Sequence, residues 1–219
     1  MKHFNKKEIG FERVLFFSDA VVAIAITLLA LDLKITVPDG QHLSFNDLFA
    51  PWHKYLAFVL SFINIAGLWR THHDFFLYIH KMDDRMMYMN ICWLFLIVIL
   101  PFSTSVLSSH FGDTAAIFLY SMNVFLLSIF QNSIWDYADK QDDYMNRQNL
   151  PAHFQTGIRT ILNLDMLNGL IAVVVSFFFP KLAFFLLFFK LPLILIAAFV
   201  MPSKRRRAIK NEDEQNSSL

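Results

Sequence analysis

Long apolar runs separated by short polar segments set the pattern of this chain. From 14 to 33 the sequence is apolar almost throughout. That is about twenty residues, the length of helix that crosses a bilayer core. Five further runs follow at about 53–78, 87–107, 114–135, 157–179 and 182–201. The segments between them carry turn chemistry. Residues 36–51 hold Pro38, Asp39 and Gly40, residues 80–85 are charged, and 108–113 is a short polar turn. Residues 136–153 form a longer polar stretch, and Pro180 with Lys181 makes the last turn. Alternation of period two is weak, which argues against an outer-membrane barrel. The pattern predicts an all-α polytopic membrane protein. A six-span domain covers 1–203, and a basic then polar tail covers 204–219.

Composition agrees with that class. Of 219 residues 56% are hydrophobic and only 17% charged, with 25 Phe; a water-soluble domain carries more charge. The net charge of +1 gives no reason to expect nucleic acid as a partner. The single cysteine, Cys92, excludes a disulfide within the chain. The first run is too long for a cleavable leader and lacks a small-residue exit, so it is expected to stay in the mature protein. Lys and Arg are lopsided. Lys2, Lys6, Lys7, Arg13, Lys81, Arg85, Lys140, Arg147, Arg159 and the run Lys204, Arg205, Arg206, Arg207 fall on one side. Lys34, Lys54 and Lys181 fall on the other. The positive-inside rule then puts both termini in the cytoplasm.

Polar residues inside the runs carry the candidate chemistry. An ionised carboxylate at mid-membrane costs roughly 2.5–3.5 kcal/mol or more, so Asp19 in the first run needs a partner. Arg13, Ser18 and Thr27 share its helix. The second run ends in Trp69, Arg70, His72, His73 and Asp74. Antiparallel packing of the first two spans would let His72 or His73 hydrogen-bond Asp19 and fix the rotation of the first helix. On that helix Ile24, Thr27 or Leu28, and Leu31 form one stripe, while Ala20, Ala23 and Ala25 favour close packing. A stripe of this kind also suits lipid contact or plain helix packing.

Other chemistries have little support. His73 and His80 are seven apart with Asp74 adjacent, but no third ligand stands at fixed helical spacing, so no metal site and no cofactor are expected. Ser18, Asp19 and a histidine lack the strained nucleophile turn of a hydrolase, and no Gly-rich phosphate loop occurs, so an enzyme is not expected. Asp165, Lys190 and the histidines admit an alternative, a proton-coupled secondary transporter. That reading lacks paired interrupted helices in matching halves.

Arg13, Phe17, Ser18 and Asp19, followed by Ala23, Ile24, Ala25, Ile26, Thr27 and Leu28, closely resemble the signature of the transmembrane protein 175 family of potassium channels. Trp69, His72 and His73, and Asn90 followed by Pro101 and Phe102, are similar to the same pattern. The six-span length resembles the prokaryotic single-repeat form. The resemblance implies a leak-type K⁺ channel, a homotetramer in a prokaryotic plasma membrane, with K⁺ and possibly other monovalent cations as permeant ions. It implies a pore lined by the first helix of four subunits. Ile24 would form the hydrophobic constriction, and Thr27, Leu28 and Leu31 would continue the wall. Arg13, Phe17, Ser18, Asp19, Trp69, His72 and His73 would form the polar network that braces it.

Overall fold

The computed structural model describes residues 6–188, apart from positions 36, 38, 39, 41, 142, 146, 148 and 149. Lys190, Pro192, most of the expected sixth span and the basic tail lie outside the described residues. The elements among them are helical. They are α1 (Lys6–Leu28), α2 (Phe45–Phe49), α3 (Trp52–Phe76), α4 (Asp84–Ser109), α5 (Thr114–Lys140), α6 (Ala152–Ser176) and α7 (Pro180–Leu187). A 3-10 turn, Leu29–Asp32, extends α1.

Four of these helices are long and apolar enough to cross a membrane: Gly10–Asp32, Asp84–Ser109, Thr114–Lys140 and Phe154–Ser176. α3 has the length, at 25 residues, but its last turns carry Trp69, Arg70, His72, His73 and Asp74. Much of its polar content faces inward, because Ser61, Asn64, Thr71 and His72 are buried. Low hydropathy here reflects a helix with polar partners inside the bundle. Such partners satisfy groups that lipid could not.

Several boundaries differ from the sequence reading. The segment 36–51 contains a helix, α2, where only a loop was expected. Ser44 caps it in a reciprocal box with Asp47, and the signal S-x-x-D lies in the sequence. α5 runs five residues past position 135, and α6 begins at Ala152 rather than 157. Polar contacts join the two extended ends. Asp139 near the end of α5 accepts from Gln155 Nε2 of α6 at 2.9 Å, and Asp136 and Asp139 hold Arg159 at 3.1 and 3.0 Å.

The core lies among α3, α4 and α5, where Trp93, Trp135, Tyr120 and Phe75 are fully buried. A polar seam runs through it. Ser61 Oγ lies 2.7 Å from Thr104 Oγ1 and donates to Tyr120 Oη at 3.0 Å, and Asn64 Nδ2 donates to the same phenol at 3.2 Å. α6 closes on α5 at Gly169. A Cβ there would sit 3.0 Å from Phe125 Cα and 3.2 Å from its Cβ, so only glycine allows this approach of the two backbones.

Candidate functional site

α1 presents two opposite faces. Ser18, Val22, Ala25 and Leu29 are buried against the rest of the chain. Arg13, Phe17, Ala20, Ile24, Thr27 and Leu31 are exposed. These six are spaced four and three residues apart in alternation, the repeat of a seam between associating helices; Phe16, Asp19, Ala23 and Leu28 are exposed to either side of them. Each buried position is followed two residues later by an exposed one. At 3.6 residues per turn that is roughly 200° around the helix.

Of the four long apolar helices α1 is correspondingly the least covered. Within its most apolar 18 residues 22% are buried, against 50% for α4 and for α5. Ile24 is 59% and Leu31 64% exposed, and Thr27 and Leu28 share that side. The Thr27 hydroxyl donates to Ile24 O at 2.8 Å, which satisfies its hydrogen within its own helix.

The buried face is fastened through one amide. Asn90 Nδ2 of α4 donates to Ser18 Oγ at 2.9 Å, and Ser18 in turn donates to Val14 O at 2.9 Å. His72 Nε2 lies 2.9 Å from Asn90 Oδ1. Because the Asn90 nitrogen is committed to Ser18, its oxygen is the acceptor and His72 Nε2 carries the hydrogen. The imidazole is also stacked on Trp93, with centroids 4.4 Å apart and planes 13° from parallel. Ser18, His72 and Asn90 are all buried.

Asp19 is satisfied differently from the expectation. Trp69 Nε1 donates to Asp19 Oδ1 at 2.9 Å; neither His72 nor His73 forms that bond among the described contacts. Trp69, His72 and His73 occupy one helical turn, and successive residues point about 100° apart. The α1–α3 crossing selects the indole, His72 turns inward to Asn90, and His73 stacks on Trp69 at 5.4 Å. A cleft of about 260 Å³ opens beside them, lined by Glu12, Asp19, His72, His73 and Phe76 among others.

The structure thus brings Ser18, Asp19, Trp69, His72 and His73 together. Arg13 and Phe17 stay on the exposed stripe, and no hydrogen bond or ion pair joins Arg13 to the other described residues. Asn90 is the member that sequence reasoning left out of the network. Its signal was an amide inside an apolar run. Among the described residues no group of three or more His, Cys, Asp or Glu could hold a metal ion.

The same end of the bundle is latched outside the membrane. Asp83 caps α4 by accepting from Met86 N at 2.9 Å, and it accepts from Tyr137 Oη at 2.5 Å. Partial burial opposes ionisation, yet these hydrogen bonds hold the Asp83 carboxyl below its usual range. Burial and the neighbouring Asp83 push the Tyr144 phenol up. Lys81 pairs with Asp143 at 3.2 Å, and His80 N donates to Tyr144 O at 3.0 Å. The turn after α3 and the segment after α5 are thereby joined.

Comparison with known proteins gives one consistent family. The profile described as the endosomal/lysosomal potassium channel TMEM175 matches residues 13–101. A potassium channel of Streptomyces collinus is 32% identical over 155 residues, spanning 68% of this chain and 75% of that one. An endosomal/lysosomal proton channel TMEM175 of Gallus gallus is 31% identical over 241 residues, spanning 93% of this chain and 46% of that protein. The crystal structure of a lysosomal potassium-selective channel TMEM175 homolog from Chamaesiphon minutus superposes with a TM-score of 0.73 at 27% identity. The match spans 85% of this chain and 97% of that one. The chain, a multi-pass membrane protein, therefore belongs to the TMEM175 family.

Proposed function

We propose that this chain is a potassium channel, and that its ion path lies between the α1 helices of four copies. The observation that carries the reading is the bare stripe Arg13, Phe17, Ala20, Ile24, Thr27 and Leu31. It lies opposite the face that Asn90 and Trp69 fasten to the protomer. One protomer supplies one wall of a path and cannot enclose it. The relatives named as potassium channels support the ion.

Chemistry along the stripe suits passage without a ligand cage. A ring of Ile24 side chains excludes water and can close a pore by dewetting. Widened slightly, the ring makes an ion shed part of its hydration shell. K⁺ sheds water more easily than Na⁺, so the ring favours K⁺ modestly. Thr27, Leu28 and Leu31 continue the wall, and from Ile24 to Leu31 is about 10.5 Å at 1.5 Å per residue. Ser18, Asp19, Trp69, His72, His73 and Asn90 hold the helix rotation that keeps Ile24 on the axis. No reaction is assigned to them.

The Lys and Arg asymmetry supports cytoplasmic termini, and the bacterial relatives support a plasma-membrane location. The test uses the purified full chain in liposomes under a K⁺ gradient, with oligomer mass measured on the same sample. The reading expects tetramers, K⁺ flux, and a several-fold higher flux for Ile24→Asn. Tetramers that pass no K⁺ would reject it.

A further inference from the structure

The end of the bundle away from Arg13 carries aromatic side chains that the protomer leaves uncovered. α2 is fixed there as a helix. Asp47 N donates to Ser44 Oγ at 3.3 Å, and Ser44 N donates to Asp47 Oδ2 at 2.9 Å. Tyr55 Oη of α3 donates to Leu48 O at 2.6 Å, which ties α2 to the start of that span. On this held turn Phe45 and Phe49 stand one helical turn apart on one face. They are 82% and 71% exposed, and Trp52 follows at 53%.

Two features name the occupant. The first is level. Trp52 packs edge-on against Phe111 of the α4–α5 turn at 5.3 Å, and Phe111 against Phe184 of α7 at 5.0 Å. The patch therefore sits where the spans begin and end, the depth at which Trp and other aromatic side chains meet lipid headgroups. The second is charge. Lys54 follows Trp52 by two residues and Lys34 lies just past the turn that ends α1. Neither joins an ion pair among the described residues, and the carboxylate of α2, Asp47, is held by Ser44. A leaflet offers acyl chains to the rings and phosphates to the ammonium groups. A second copy of the patch would cover the rings but offer the ammonium groups only Asp47, whose carboxylate Ser44 already holds.

We propose that α2 is an interfacial anchor whose Phe45, Phe49 and neighbouring Trp52 enter the headgroup–acyl boundary of the leaflet at this end, with Lys34 and Lys54 against lipid phosphates. Such elements lie in the membrane plane with their apolar side about 5–10 Å into that boundary. The anchor joins the outer end of α1 to the bilayer. It does not depend on which ion passes the pore.

The experiment places a nitroxide at Phe45→Cys, Phe49→Cys or Asn46→Cys in full-length Cys92→Ser protein, reconstituted in phosphatidylcholine–phosphatidylglycerol vesicles. Collision with oxygen reports lipid, and collision with an aqueous nickel chelate reports water. The anchor predicts an oxygen-to-nickel ratio several-fold higher at positions 45 and 49 than at 46. Equal nickel access at all three positions overturns it. So does shielding of 45 and 49 from both reagents, the signature of a covering protein surface. A second measurement needs no cysteine variant. Trp52 is the most exposed of the four tryptophans, so brominated phosphatidylcholine quenches the wild-type fluorescence and Trp52→Phe loses the larger part of that quenching. Undiminished quenching in Trp52→Phe also overturns the proposal.

Discussion

Asn90 on α4 bonds Ser18 of α1 and His72 of α3 at once, each at 2.9 Å. One buried amide thus sets the rotation of α1 against two neighbours. The opposite face of α1 is then directed by a polar contact as well as by apolar packing.

Asn90→Ala should be the most damaging single change in the network. It leaves the His72 N–H buried without a partner and takes one donor from Ser18 Oγ, whose hydroxyl still donates to Val14 O. An unsatisfied buried group costs about 1–3 kcal/mol, and the lost Ser18 bond adds to that. Asp19→Ala removes one bond to a partly exposed indole and should cost about 1 kcal/mol. Thermal denaturation in detergent, with both variants beside wild type, gives the order; equal losses would contradict it.

Gly169→Ala tests the α5–α6 contact. The new methyl would meet Phe125 backbone at 3.0 Å, which a rotamer change cannot relieve. Overpacking of this kind costs about 1–3 kcal/mol. Gly10→Ala is its control, because nothing lies within 4 Å of the added Cβ. Helix propensity there favours alanine by roughly 0.5–1 kcal/mol. The two variants should shift the melting temperature in opposite directions.

Acid should loosen the latch at Asp83. Its carboxyl is held below the usual aspartate range in the folded chain, so the unfolded chain binds the proton more tightly. The stability that Asp83 contributes is therefore present above the unfolded aspartate's pKa and is lost as the pH falls through the lowered folded value. Asp83→Asn should flatten that part of the melting profile and leave the neutral region displaced but parallel. A profile whose acid slope is unchanged by the substitution would show that other carboxylates set it.

Much of the helical order was legible because apolar runs and their breaks are coarse signals, integrated over twenty residues. α2 was missed because five residues give no period to read; only the Ser44–Asp47 capping pair announced it. The partner of Asp19 was misread for a geometric reason. Trp69, His72 and His73 all lie within one turn, and the crossing of α1 on α3 decides which donor arrives. The bracing amide of Asn90 was visible as a polar residue in an apolar run. Pairing it with residues 18 and 72 needed the packing of three helices. Arg13 was expected among the bracing groups, and its side chain instead continues the exposed stripe.

Cysteine accessibility along α1 tests the central claim most directly. In Cys92→Ser protein carrying K⁺ current across a planar bilayer, single cysteines replace Ile24, Thr27 and Leu31 on the bare stripe, and Val22, Ala25 and Leu29 on the packed one. A cationic thiol reagent added from the aqueous side should block the current at 24, 27 and 31 and leave 22, 25 and 29 unaffected. Block at the packed positions, or none at the bare ones while current persists, would mean that ions do not pass along this face of α1.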